Sequence, residues 1–285
     1  MAFKYTGFAD EAGQSLEEQI AVVKMAGWNS IEVRALDIGH FCDLSEAQWD
    51  ATWATLQAEG ISVPGFGGQI GNWARPITAD FEQDIAELKR VAPRMRQTDA
   101  ACLRVMSYPN DEQQPWSDTD WKQEAFRRLR ELAKMAEDLG VVLGHENCSG
   151  YGSQGPAECL EMVEAIDSPA FKLIFDTGND SLHHHDGEAT WRLYEACREH
   201  VIHVHIKSAR PGDDGTYATC YPDEDPIQAR ILADLKARDY DGWVSIEPHL
   251  HAQIHAGEGI TDEVAARTAW VEYARRLEAL VGKVG

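Results

Sequence analysis

The chain has 285 residues, 44% hydrophobic and 26% charged, which is enough to bury a large core, and its 26 Lys+Arg against 48 Asp+Glu leave a formal net charge of −22. That charge repels nucleic acid phosphates and anionic membrane surfaces, so small molecules or other proteins are the expected partners. MAFKYTGF carries no apolar leader core, no run approaches the roughly 18 apolar residues of a membrane span, and the six scattered cysteines form no CxxC pair, so a reduced cytoplasmic protein is expected.

Taken in chain order, the expected strands are Lys4–Phe8, Asn29–Arg34, Ile61–Phe66, Ala101–Ser107, Val141–Glu146, Phe171–Asp176, Val201–Lys207 and Trp243–Glu247. A helical pattern follows each of them. The first begins at Ser15, where Glu18 three residues on completes a capping box. Gly27, Gly60 and Gly140 each close a helix and precede a strand, positions that favour a left-handed C′ residue. Eight strand-then-helix alternations without an internal linker predict an α/β fold in one domain over 1–285, a single (β/α)8 TIM barrel. An open doubly wound sheet is the competing architecture, but no GxGxxG follows the first strand. The longer irregular stretches, Gly65–Ala79, Tyr108–Asp118, Asn147–Pro156, Thr177–Gly187, Ser208–Asp225 and Pro248–Gly259, nearly all follow strands. In a barrel that places them over the catalytic face.

Four metal-compatible side chains close four of these strands: Glu146, Asp176, His205 and Glu247. Because side chains alternate along a strand, a polar residue ending an apolar run is aimed into the barrel mouth. Three carboxylates and an imidazole suit a hard or borderline divalent ion, Mn²⁺, Mg²⁺, Co²⁺ or Zn²⁺, and the lack of a thiolate argues against structural zinc. Each residue alone is equally well a helix cap or a salt-bridge partner. Together they imply a metal site. Such an ion acidifies the C–H beside a ketone, and Glu146 and Glu247, three strands apart, can move the proton on opposite faces of the substrate. Proton return then gives an epimerase or isomerase of a keto sugar or keto-glycoside. Expulsion of a β-substituent gives a lyase.

The chain resembles the xylose isomerase-like TIM-barrel superfamily, often labelled sugar phosphate isomerase/epimerase, through GFADEAGQSLEEQI, GWNSIEVRAL, LGHEN, FDTGN, HVHIKSA and YDGWVSIEPHL. The resemblance implies that the same four residues bind a divalent metal, Mn²⁺ first among the choices, and that the two glutamates are the acid/base pair. Ser208 stands where many relatives have the aspartate of HxKD. GNWARPI and HENCSGYG also resemble a branch that contains the large subunits of C-glycoside deglycosidases. That branch implies 3-oxo-glycoside cleavage and a hetero-oligomer with a small β-rich subunit, beside the alternative of a homo-oligomer.

Other residues have weaker claims. His145 could leave the pleat and act as a catalytic base, or it could lie under a helix on the outer face. Lys207 shares the parity of His205 and could bind substrate oxygens or balance the carboxylates. Glu32 and Arg34 share a strand face, as substrate contacts or as a structural ion pair. Asn179 lies three residues past Asp176, ahead of His183-His184-His185 in an expected solvated loop. Trp73 could stack on a sugar ring or aglycone.

Overall fold

A computed structural model describes residues 3–250 and 262–284, so most of the expected loop Pro248–Gly259 lies outside the described residues. Its strands are β1 (Lys4–Gly7), β2 (Ala35–Leu36), β3 (Gly39–His40), β4 (Gly65–Phe66), β5 (Cys102–Ser107), β6 (Leu143–Gly150), β7 (Phe171–Asp176), β8 (Val201–Ile206), β9 (Ala209–Pro211), β10 (Tyr217–Thr219) and β11 (Trp243–Ile246). The α-helices are α1 (Leu16–Met25), α2 (Glu46–Ala58), α3 (Glu82–Thr98), α4 (Asp118–Leu139), α5 (Pro156–Ile166), α6 (Asn179–His184), α7 (Gly187–Cys197), α8 (Pro226–Ala237) and α9 (Glu263–Lys283).

Seven strands form one sheet in the order β1, β11, β8, β7, β6, β5, β4, while β2 with β3 and β9 with β10 form two small hairpins. The pairs β1/β11, β4/β5, β5/β6 and β6/β7 are parallel. The second expected strand, Asn29–Arg34, survives as parallel bridges rather than as a ladder. Phe8 bridges Glu32 and Ser30 bridges Ser62, with Glu32 N donating to Gly7 O at 3.1 Å and Ile31 N to Ser62 O at 3.0 Å. Those bridges supply the eighth position, and the chain has the (β/α)8 barrel fold read from its alternations. No described helix is long and apolar enough to cross a membrane.

The chain divides into two compact units. The first comprises Met1–Pro64, Asp176–Trp191 and Val204–Gly285. Its α1 starts on the expected capping box, Ser15 N donating to Glu18 Oε2 at 3.0 Å and Glu18 N to Ser15 Oγ at 3.3 Å. The buried indole of Trp270 on α9 meets Trp28 edge-on at 5.5 Å, and its Nε1 donates to Phe8 O at 3.1 Å, which holds the turn after β1 against the last helix. Asn179, Asp180 and Ser181 are buried at the start of α6, whereas His183, His184 and His185 are exposed. The triple histidine is therefore solvated as expected, with His183 and His184 in the last turn of a short helix and His185 capping it at φ 52°.

The second unit comprises Gly65–Phe175 and Arg192–His203. Leu103, Val105, Leu129, Leu132, Leu143, Met162 and Phe171 are buried in it. The loop after β4 is fastened to α3 by charge: buried Asp84 and Glu87 face Arg75 at 2.7 and 2.6 Å, and Glu87 Oε1 accepts from Gln69 N at 2.8 Å. Tyr108, at φ 59°, donates its hydroxyl to Asp84 at 2.7 Å, so the first residue past β5 joins the same anchor.

Candidate metal centre

Within the first unit the ends of β7, β8 and β11 bring ligand-type side chains together. Asp176 closes β7, while His205 on β8 and Glu247 just past β11 are equally buried, and oxygen or nitrogen atoms of the three lie within 4.8 Å of one another. Asp176 is fixed by its own chain, because Oδ1 accepts from Gly178 N and Asn179 N, both at 2.8 Å. Gly178 is required there: a Cβ would come within 2.4 Å of Lys207 O.

His205 is oriented by Glu32, whose Oε1 lies 3.2 Å from Nε2, and by the Phe8 ring, which it meets edge-on at 5.1 Å. A carboxylate only accepts, so Nε2 carries the proton and Nδ1 keeps the lone pair, the arrangement that carboxylate partners impose on ligating histidines. Glu32 thus meets His205, a partner its strand position did not suggest.

Arg34 also has a different task from the one its sequence position suggested. Its guanidinium donates to Asp10 at 2.8 and 2.9 Å, to Glu11 at 3.2 Å and to Glu247 at 2.5 Å, and lies over the Phe8 ring at 4.3 Å. With those donors engaged, Arg34 fixes Glu247 rather than binding substrate. Lys207 Nζ stands 3.2 Å from Asp176 Oδ2, 2.9 Å from Glu247 Oε2 and 3.0 Å from Asn179 Oδ1. Asn179 Nδ2 is buried and has no hydrogen-bond partner among the described residues, which leaves a donor for a ligand oxygen.

Asp10, Glu11 and His249 belong to the same cluster, and sequence reasoning missed them. His249, at φ 50°, donates its backbone N–H to Glu11 Oε2 at 2.8 Å, and its Nε2 lies 3.3 Å from Glu11 Oε1 and 3.2 Å from Glu247 Oε1. The available signal was an acidic pair directly after the first strand, in FADEAG.

Burial pushes Glu11 up to about 8, helped by the charges of Glu247 and Asp10 and opposed by Arg34. Burial also acts to raise Glu247, but Lys207, His249 and Arg34 together hold it well below the usual carboxylate range. His249 falls to about 4, because burial and the Lys207 charge outweigh the attraction of Glu247. Five buried carboxyl groups (Asp10, Glu11, Glu32, Asp176, Glu247) stand with two cations, Arg34 and Lys207. Acids outnumber cations there, and oxygen donors with one imidazole suit a divalent ion.

In the second unit, Glu146 is buried on β6 and accepts from Arg104 Nη1 at 3.2 Å. It pairs in register with Ile174 of β7. Paired residues share a sheet face, as do residues two apart, so Glu146 faces the side of β7 that ends in Asp176. His145 consequently takes the opposite face. It pairs with Leu173, its ring lies 6.2 Å from Phe171, and burial drives its imidazole down to about 4 against the charge of Glu146. The pleat does not break at His145, so it is not brought to the carboxylates as a base. Trp73, 37% exposed, borders a groove of about 500 Å³.

A family model described as "Xylose isomerase-like TIM barrel" matches residues 20–277. An inosose dehydratase from Glaesserella parasuis serovar 5 (strain SH0165) is 26% identical over 151 residues, covering 46% of this chain and 49% of that protein. The chain thus matches about half the length of the curated relatives. Among solved structures, the probable 3-DHS dehydratase of petrobactin synthesis from Bacillus anthracis superposes with a TM-score of 0.72 at 16% identity, covering 96% of this chain and 98% of the other. D-psicose 3-epimerase from Clostridium cellulolyticum H10, solved with D-tagatose, gives a TM-score of 0.69 at 17% identity, covering 98% and 99%. These two likenesses concern the fold.

Proposed function

The chain belongs to the xylose isomerase-like TIM barrel family, and from that premise we propose that it is a divalent-metal-dependent enzyme that removes a proton beside the ketone of a sugar or glycoside. The observation that carries this reading is the buried convergence of Asp176, His205 and Glu247 in a cluster where acidic groups outnumber the local cations. In this reading Glu146 completes the ligand set, and Mn²⁺ is the first ion to test. A bound divalent ion stabilises negative charge developing on the substrate oxygen. Glu146 and Glu247 accept and return the proton, Lys207 balances the carboxylates of Asp176 and Glu247, Asn179 Nδ2 holds a substrate oxygen, and Glu32 and Arg34 keep His205 and Glu247 in place. Burial of all these groups excludes bulk water, so each charge acts in a medium of low polarity.

Return of the proton makes the enzyme an epimerase or isomerase. The similarity to an inosose dehydratase supports the second outcome, in which the same enolate expels a β-substituent and the enzyme is a lyase. The 3-oxo-C-glycoside-cleaving form of the lyase reading carries with it a small β-rich partner subunit, which co-purification from native cells tests. For the common step, we expect Mn²⁺-loaded protein in D₂O to place deuterium beside the ketone of a ketohexose or 3-oxo-glucoside, read by NMR. Glu146→Gln and Glu247→Gln should each slow uptake by about 10²–10⁴-fold, the usual worth of a positioned acid or base. Uptake that persists at the wild-type rate in both variants would remove the two glutamates from the mechanism.

A further inference from the structure

We propose that the Lys207 ammonium and the divalent ion are alternative occupants of one place, so that the ion enters by displacing Lys207. The lysine thereby sets both the affinity of the site and its preference for divalent over monovalent cations. This rests on the functional reading above, in which Asp176, His205 and Glu247 are ligands. Lys207 is the one buried lysine among the described residues, and its Nζ lies 3.2 Å from Asp176 Oδ2 and 2.9 Å from Glu247 Oε2. An ammonium there offsets one negative charge but supplies neither the second charge nor the ligand bonds of an ion.

Those two oxygens are the ones an ion needs. Asp176 Oδ1 already accepts from Gly178 N and Asn179 N, both at 2.8 Å, and Glu247 Oε1 accepts from Arg34 Nη1 at 2.5 Å with His249 Nε2 3.2 Å away. A carboxylate oxygen facing two donors has its lone pairs engaged, which leaves Asp176 Oδ2 and Glu247 Oε2 for a ligand bond. An ammonium that touches both repels a divalent ion held by the same pair.

The side chain can leave without moving the strand. Lys207 N donates to Thr177 Oγ1 at 3.2 Å, and Lys207 O accepts from Thr177 Oγ1 at 3.0 Å and from Gln228 Nε2 at 3.1 Å. The backbone just past β8 is thereby pinned, while the four-carbon stem turns about single bonds. Nζ also donates to Asn179 Oδ1 at 3.0 Å, a neutral partner. Selectivity follows from charge. A sodium or potassium ion carries the same single charge as the ammonium it would displace and gains no attraction, whereas a divalent ion doubles the attraction to the acids.

The test reads ion binding and one NMR signal in the full chain, not turnover, which separates it from the deuterium-exchange test of the chemistry. In isotope-labelled, metal-free protein the buried Lys207 ammonium should give a slowly exchanging signal that is missing from Lys207→Met. Saturation with Mg²⁺, a diamagnetic substitute for Mn²⁺, should shift that signal or abolish it. By EPR titration Lys207→Met should bind Mn²⁺ about ten-fold or more tightly than the wild-type chain. NaCl should weaken Mn²⁺ binding to the variant more than tetramethylammonium chloride at the same concentration does, with no such difference in the wild type. A Lys207 signal unchanged by bound Mg²⁺, or Mn²⁺ binding no tighter in a folded variant, would overturn the displacement; if the variant does not fold, the wild-type signal decides. Equal effects of the two salts on the variant would overturn the selectivity. Absence of Mn²⁺ binding from both proteins would remove the functional reading itself, and this inference with it.

Discussion

Arg34 meets Asp10, Glu11 and Glu247 from within the first unit, and all four groups are buried. Arg34→Met keeps much of the aliphatic stem over Phe8 but leaves the acids without their cation. Breaking a buried ion pair from one side typically costs about 3–5 kcal/mol, and urea unfolding should show a loss of that order. Arg34→Lys should recover only part of it, because an ammonium cannot reproduce the fork that meets both oxygens of Asp10. A loss below about 1 kcal/mol for Arg34→Met would mean that the acids are neutralised by protons. The convergence of Asp176, His205 and Glu247 was legible in the sequence because each closes an apolar run, where strand parity aims it inward. Glu32 and Arg34 were legible as sharing a face, but a strand pattern does not reveal that their partners arrive from 173 residues away for Glu32 and from 24 and 213 for Arg34. His145 shows the limit of the same rule: as the neighbour of Glu146 it is sent by the pleat to the opposite side.

At the level of elements, most strand positions followed from pattern, and the departures have local causes. The expected strand Asn29–Arg34 is reduced to bridges, and β6 runs to Gly150, past the expected end at Glu146. Gly150 explains the extension. At φ 94° it lies so close to β5 that a Cβ would meet Ser107 C at 2.3 Å and Ser107 O at 2.5 Å, an approach that lets β6 re-pair with Ser107 after its register shift. Gly140 has a comparable φ of 68° at the end of α4, but a Cβ there meets nothing within 4 Å. The two positions therefore separate backbone strain from collision. Gly140→Ala should cost about 1 kcal/mol, from the left-handed conformation alone. Gly150→Ala carries that strain together with a backbone clash and should cost clearly more, on the order of 3 kcal/mol by chemical denaturation. Equal losses would show that β5 and β6 separate easily at this point.

At the scale of the whole molecule, the net charge of −22 makes any cation stabilising to some degree, so a rise in melting temperature with Mn²⁺ is not by itself evidence of a site. Screening of dispersed surface charge depends on ionic strength and is indifferent to which carboxylate is present. Site binding depends on both the ion and the ligand set. An ion at a hundred times its Kd stabilises the folded state by about 2.7 kcal/mol, which for a chain of this length is a shift on the order of 5 °C. We expect that shift with Mn²⁺ for the wild-type chain, its reversal by EDTA, and no comparable effect of NaCl at matched ionic strength. Asp176→Asn and Glu247→Gln should each abolish most of the Mn²⁺ shift while leaving the NaCl response unchanged, because each removes one charge in forty-eight from the surface average but a ligand from the site. If NaCl reproduces the Mn²⁺ effect, or if the two variants keep it, the cation acts on the acidic surface and the convergence of Asp176, His205 and Glu247 is not where it binds.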